Sequence, residues 1–170
     1  MSKSNRRVPI QESSEPQPGN VVELRPRAPE SATDLAISGA IESCWETYRL
    51  AVSSATRLGR HRARESGREG IRSNDIALLW DAAECAKWTA EFLLRNSPSG
   101  LLIASMCAEV CDDVADELES RYEEQEERSA NPNITLLLDC AEKIRHLADT
   151  CDQLADEVEF GELEAEREEA

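Results

Sequence analysis

Aromatic residues are scarce in this 170-residue chain, at 4% of the total, and no segment alternates polar and apolar residues in the manner of a strand. Helix formers dominate instead, so the predicted class is all-α. No apolar run approaches the roughly 18 residues that a membrane-spanning helix needs. Arg6-Arg7 is followed by Pro9 rather than by an apolar segment of roughly 7–15 residues, so neither a secretory nor a twin-arginine signal is expected. The expected setting is therefore the cytoplasm. There the six cysteines stay as thiols rather than forming a disulfide framework. No glycine-rich phosphate loop is present, and histidine occurs only twice, at His61 and His146.

Positive charge is also missing from one half of the chain. The net charge is −16. From Glu109 to the end there are 22 acidic and five basic residues, a difference of −17, which leaves residues 1–108 at +1. Such a surface is a poor partner for nucleic acid, whose binding rests on neutralising phosphates. The one basic island is Arg57, Arg60, Arg62, Arg64, Arg68 and Arg72, read as a solvated connector that meets acidic helices of its own or a neighbouring subunit.

Proline is nearly absent beyond residue 29, and its distribution organises the chain. Residues 1–32 hold Pro9, Pro16, Pro18, Pro26 and Pro29 with no apolar period. They are predicted to form a disordered tail, since so little burial cannot offset ordering entropy. Val21-Val22-Glu23-Leu24-Arg25-Pro26 is its one candidate docking peptide for a protein partner. Residues 33–161 are assigned to an antiparallel four-helix bundle, and 162–170 to an acidic C-terminal end. The first helix is expected over Asp34–Leu58, followed by a connector marked by Gly59, Gly67 and Gly70. The second runs from Asn74-Asp75 to Asn96. Ser97 caps a third helix starting at Pro98, Asn131-Pro132 starts the fourth, and Gly161 ends it.

Five cysteines lie on helical stripes. Leu137, Cys140, Ile144, Leu147, Cys151, Leu154 and Val158 step by 3 and 4. So do Ile103, Cys107, Val110 or Cys111, Val114 and Leu118, and also Ile37, Ile41, Cys44, Tyr48, Ala51 and Ala55. These steps keep side chains on one helix face, so the thiols point into the bundle core. Inward thiols are either small hydrophobes or ligands for a soft metal. Cys107 and Cys111, at i and i+4, suit a two-thiolate clip, with Cys140 or Cys151 able to supply a third sulfur. Zinc fits less well, because no histidine lies on these stripes. Met106 is a further thioether beside Cys107, explained more simply by core packing.

Catalysis finds no support. Neither histidine is placed to activate a thiol, and Glu142-Lys143-Ile144-Arg145 lacks the Glu-x-x-His spacing of di-iron bundles. The second helix is apolar nearly all round, with Trp80 and Trp88 off its alanine stripe and Trp45 flanking the stripe of the first. Exposed indoles predict a homo-oligomer, a dimer or a tetramer, assembled through Trp80, Trp88 and Trp45.

The segments Asp81-Ala82-Ala83-Glu84-Cys85-Ala86, Asn96-Ser97-Pro98, Cys107-Ala108-Glu109-Val110-Cys111 and Cys140-Ala141-Glu142 resemble the cysteine-rich four-helix-bundle copper storage proteins. The resemblance spans residues 34–158 and implies cysteines lining the bundle interior, Cu(I) as the bound ion and a tetramer. Cys44, Cys107, Cys111, Cys140 and Cys151 fall where that pattern has cysteines. Val114, Leu118, Ile144 and Leu147 replace others, Ala82 and Ala86 fill the expected pair on the second helix, and Cys85 sits beside that face. High-capacity storage is therefore not expected. The expectation is at most a residual low-capacity Cu(I)-thiolate site. The alternative is a metal-free structural or interaction bundle that acts through its oligomer interface or docking tail.

Overall fold

The computed structural model describes residues 32–64, 71–126 and 131–168, without the side chains of 64, 124–126 and 157–168. Of the tail expected over 1–32 only Ala32 is described, and it is helical; the rest lies outside the described residues, as does Arg68. Four helices make up the fold: α1 (Ala32–Arg64), α2 (Ser73–Leu94), α3 (Gly100–Glu126) and α4 (Pro132–Glu168). No strand occurs among the described residues, as the missing alternation predicts.

Each helix packs on two neighbours in the cyclic order α1, α2, α3, α4, while α2 and α4 face each other across the diagonal. Cross-helix bonds show the antiparallel sense. His61 near the end of α1 meets Asn133 at the start of α4, Nε2 to Nδ2, at 3.4 Å. Asp75 at the start of α2 meets Arg121 and Tyr122 near the end of α3. The buried core is built from small and aliphatic side chains, including Ala82, Ala83, Ala86 and Ala90 on α2 and Leu137, Ile144 and Leu147 on α4. Alanine at four such positions lets α2 approach its neighbours closely.

Helix starts and stops follow from local chemistry. Asn131 caps α4: its side-chain oxygen accepts from the Asn133 N–H at 2.9 Å, and Pro132 takes the first position, where its missing N–H costs nothing. Arg72 precedes α2, and its N–H donates to Asp75 Oδ2 at 2.6 Å. α2 ends at Leu94 with Asn96 left-handed, φ 48°, a conformation asparagine tolerates. The Ser97 N–H donates to Phe92 O at 3.1 Å and the Asn96 N–H to Leu93 O at 3.0 Å, the paired bonds of a Schellman stop.

Three boundaries differ from expectation. α3 begins at Gly100 rather than Pro98, because Ser97–Ser99 form a turn and Ser99 O accepts the first helical bond, from Ile103 N at 3.0 Å. α1 does not stop at Leu58 and contains both Gly59 and His61. One helical glycine costs only about 1 kcal/mol, Leu58 is fully buried, and arginines in the last turns complement the helix dipole. α4 likewise runs through Gly161 to Glu168, carried by the helix formers that follow it.

The stripe on α4 is buried as expected from Leu137 to Leu154. On α3 the alternative resolves to Cys111, which is buried, whereas Val110 is half-buried. The α1 stripe is rotated: Ile37, Ile41 and Tyr48 are half-buried, and Ala40, Thr47, Ser54 and Leu58 join Cys44 inside.

Candidate metal centre

Two of the six thiols are in contact, and three more, one from each of the other helices, lie near enough to act on this pair or on one another electrostatically. Cys107 and Cys111 lie one turn apart on α3 with sulfurs 3.8 Å apart. Cys107 also interacts with the thiols of Cys85 on α2 and Cys151 on α4. Cys151 in turn meets Cys44 on α1. The result is a run of sulfur across the bundle: Cys44, Cys151, Cys107 with Cys111, and Cys85. All but Cys85 are buried. Cys140, about three turns back along α4, stands apart with its Sγ donating to Ser54 Oγ at 3.1 Å.

Four of the thiols, Cys85, Cys111, Cys140 and Cys151, are held toward their protonated form. Contact with Cys107 raises Cys111 and Cys85 above the ordinary thiol value, and burial raises both further. Cys151 is pulled down by Cys107 but pushed up more by Cys44 and by burial. Burial raises Cys140, partly opposed by its bond to Ser54. An apolar interior disfavours a thiolate unless a cation compensates it. Among the described residues no three Cys, His, Asp or Glu side chains already close on a point as a metal cage.

The donor set nevertheless suits a soft monovalent ion. Thiolate sulfur selects Cu(I), which accepts few ligands. Cys107 and Cys111, with sulfurs 3.8 Å apart, are the pair that would hold such an ion. Two hydroxyls on the same stretch of α1, Ser43 Oγ and Thr47 Oγ1, are buried without a hydrogen-bond partner. They stand one residue before and three after Cys44.

Sequence reasoning placed Cys44, Cys107, Cys111 and Cys151 on inward stripes, and the fold buries all four, with Cys107 and Cys111 in contact. It set Cys85 beside the core face, and that thiol is half-buried within electrostatic reach of Cys107. The signal was the all-round apolar character of α2, which leaves the phase of a single cysteine undefined. His146 is exposed on α4, off the core as expected. Met106 is 52% exposed, so core packing does not account for it.

A second cluster was not foreseen. Asp75 is fully buried and is bonded by the Arg72 N–H, by Arg121 Nη1 and by the Tyr122 hydroxyl at 2.5 Å. Its four groups are all satisfied within the bundle and tie α2 to α3 at the end remote from the thiols. Burial and Asp75 raise the Tyr122 hydroxyl above its ordinary value.

An all-α bundle with cysteines on every helix and five of the six buried defines a class: a helical bundle with thiols in its core. The family model for copper storage proteins matches residues 42–156, and the chain belongs to that family. No curated protein and no solved structure matches it. No described helix is long and apolar enough to cross a membrane.

Proposed function

We propose that this bundle is a low-capacity Cu(I)-binding member of its family, holding the ion between Cys107 and Cys111 with Cys151 as third sulfur and Cys44 beyond it. The observation that carries the reading is the Cys107–Cys111 pair at 3.8 Å, inside a thiol cluster to which α1, α2 and α4 also contribute. Capacity is small because hydrocarbon fills the neighbouring layers: Val114, Leu118, Ile144 and Leu147 are all buried there. Cys140, paired with Ser54, lies outside the cluster and contributes packing. The protein works by binding and release in the cytoplasm, with no catalytic step, and assembles with copies of itself through its exposed indoles.

Anaerobic titration of reduced protein with Cu(I) against a competing chelator tests this. Wild type is expected to hold one to a few ions per chain, and Cys107→Ser/Cys111→Ser to lose tight binding. Unchanged stoichiometry in that double variant would refute the assignment. A metal-free bundle would instead show no binding in wild type and a fold indifferent to copper.

A further inference from the structure

Charge on this bundle is sorted by corner. α1 and α3 sit on opposite corners, each packed on α2 and α4 and not on the other. The outward face of α1 carries Arg49, Arg57 and Arg60, all exposed and on the side of the helix opposite the buried Cys44, Ala51 and Leu58. Arg57 and Arg60 form no ion pair with any described residue. The outward face of α3 is a shallow groove lined by Asp113, Asp116, Glu117, Glu119, Ser120 and Glu123. Arg121 and Arg145 engage Glu117, Asp116 and Glu119, which leaves Asp113 and Glu123 exposed and without a described cation.

The two faces also stand at the same height. Ser54 of α1 meets Cys140 of α4 at 3.1 Å, and Arg145, five residues further along α4, meets Asp112, Asp116 and Glu119 of α3. α1 and α3 run in one direction, antiparallel to α4, with the same rise per residue. Arg49 is therefore level with Asp116, Arg57 with the turn at Glu123, and Arg60 stands one turn beyond. Fourteen residues before Arg49 and before Asp116 come Leu35 and Leu102, which are 58% and 64% exposed on the same two faces. Between the leucines and the arginines, Glu42 and Glu46 are level with Glu109 and Asp113. Glu46 is paired with Lys143 at 2.7 Å, so the repulsion there falls mainly on Glu42 and keeps any contact between the faces weak.

We propose that the outward face of α3 docks the outward face of α1 on a second copy of this chain, set beside it in the same orientation. Arg49, Arg57 and Arg60 of one copy then meet Asp116, Glu117 and Glu123 of the next, and Leu35 meets Leu102. A sideways shift alone brings the complementary charges together, because both faces belong to one chain and match in height. Single exposed ion pairs contribute little, so the set of them acts together, and complementary charge fixes which faces meet. The contact is heterologous: every copy retains one free face of each kind, and association continues with concentration unless it closes into a ring. It uses corners other than α2, which carries Trp80 and Trp88, and it needs no copper.

Sedimentation velocity of the full apo chain at about 20 mM and about 500 mM salt tests this. Wild type is expected to form species at low salt that grow with protein concentration and disperse at high salt. Arg57→Glu/Arg60→Glu reverses the α1 face. Ser120→Lys/Glu123→Lys reverses the α3 face and leaves the pairs of Arg121 and Arg145 intact. Each double variant is expected to weaken this association at least about tenfold, with thermal unfolding confirming that both are folded. An equimolar mixture of the two should restore it, since each variant then meets opposite charge on the other. A wild type whose size is indifferent to salt overturns the proposal, as do variants that assemble like wild type or a mixture no larger than either variant alone. A dimer held by the indoles would persist at high salt and in both variants, and finding that species alone also overturns it.

Discussion

Buried thiols make the metal-free protein sensitive to base. Cys85, Cys111, Cys140 and Cys151 all have folded-state values above the ordinary 9.0. A group raised on folding keeps its proton in the native state while the unfolded chain loses it. Its stabilising contribution is therefore complete below pH 9 and falls as pH rises beyond it. The apo protein is expected to lose stability above about pH 9, by up to about 1.4 kcal/mol per pH unit for each such thiol. Urea unfolding between pH 7 and 10.5 measures this, and replacing Cys140 by Ala should flatten the decline. Copper binding has the opposite sign: the ion displaces protons, so affinity rises with pH.

At the scale of elements, two polar ties fix how the helices meet. Asp75 is fully buried and bonded by Arg121 and Tyr122. Asp75→Ala removes the buried acceptor shared by Arg121 and Tyr122, while Arg121 keeps its pairing with Glu117, and the expected loss is about 3 kcal/mol. Tyr122→Phe removes one hydrogen bond from a buried carboxylate and should cost about 1–3 kcal/mol. Arg145 joins α4 to Asp112, Asp116 and Glu119 of α3 with distances of 2.5–2.6 Å, but it is 30% exposed and two of its partners more so. Solvent screening limits Arg145→Ala to about 1 kcal/mol. Thermal unfolding should rank the three variants in that order.

The contrast shows what a sequence can carry. Steps of 3 and 4 locate Cys140 to Leu154 on a core face, and Asn131-Pro132 marks a helix start, because both are local patterns. The Asp75–Tyr122 bond joins residues 47 apart, and no local pattern encodes it. Ser43, Thr47 and Ser54 are small hydroxyls outside the expected α1 stripe and are found inside. Their burial turns the core face of α1 away from Ile37, Ile41 and Tyr48. Cys85 escaped for a different reason, since a helix apolar on every side offers no phase against which to place one thiol.

For the molecule as a whole, every helix carries at least one cysteine, so on the proposed function metal binding and bundle integrity would be linked. Trp80 is 39% and Trp88 55% exposed on α2, whereas Trp45 is half-buried against Tyr48, ring centroids 5.8 Å apart. Self-association is therefore expected to depend on Trp80 and Trp88 more than on Trp45. Light scattering after chromatography should show a dimer or tetramer for wild type and a smaller species for Trp80→Lys/Trp88→Lys; a wild-type monomer would refute that assembly. The central claim is that sulfur of the buried cluster holds Cu(I), against the alternative that copper collects on the acidic surface. X-ray absorption at the copper edge, on protein loaded anaerobically with one ion per chain, addresses it most directly. The expected result is a shell of two or three sulfur neighbours at about 2.3 Å with no lighter scatterer. A shell of oxygen or nitrogen would contradict the account.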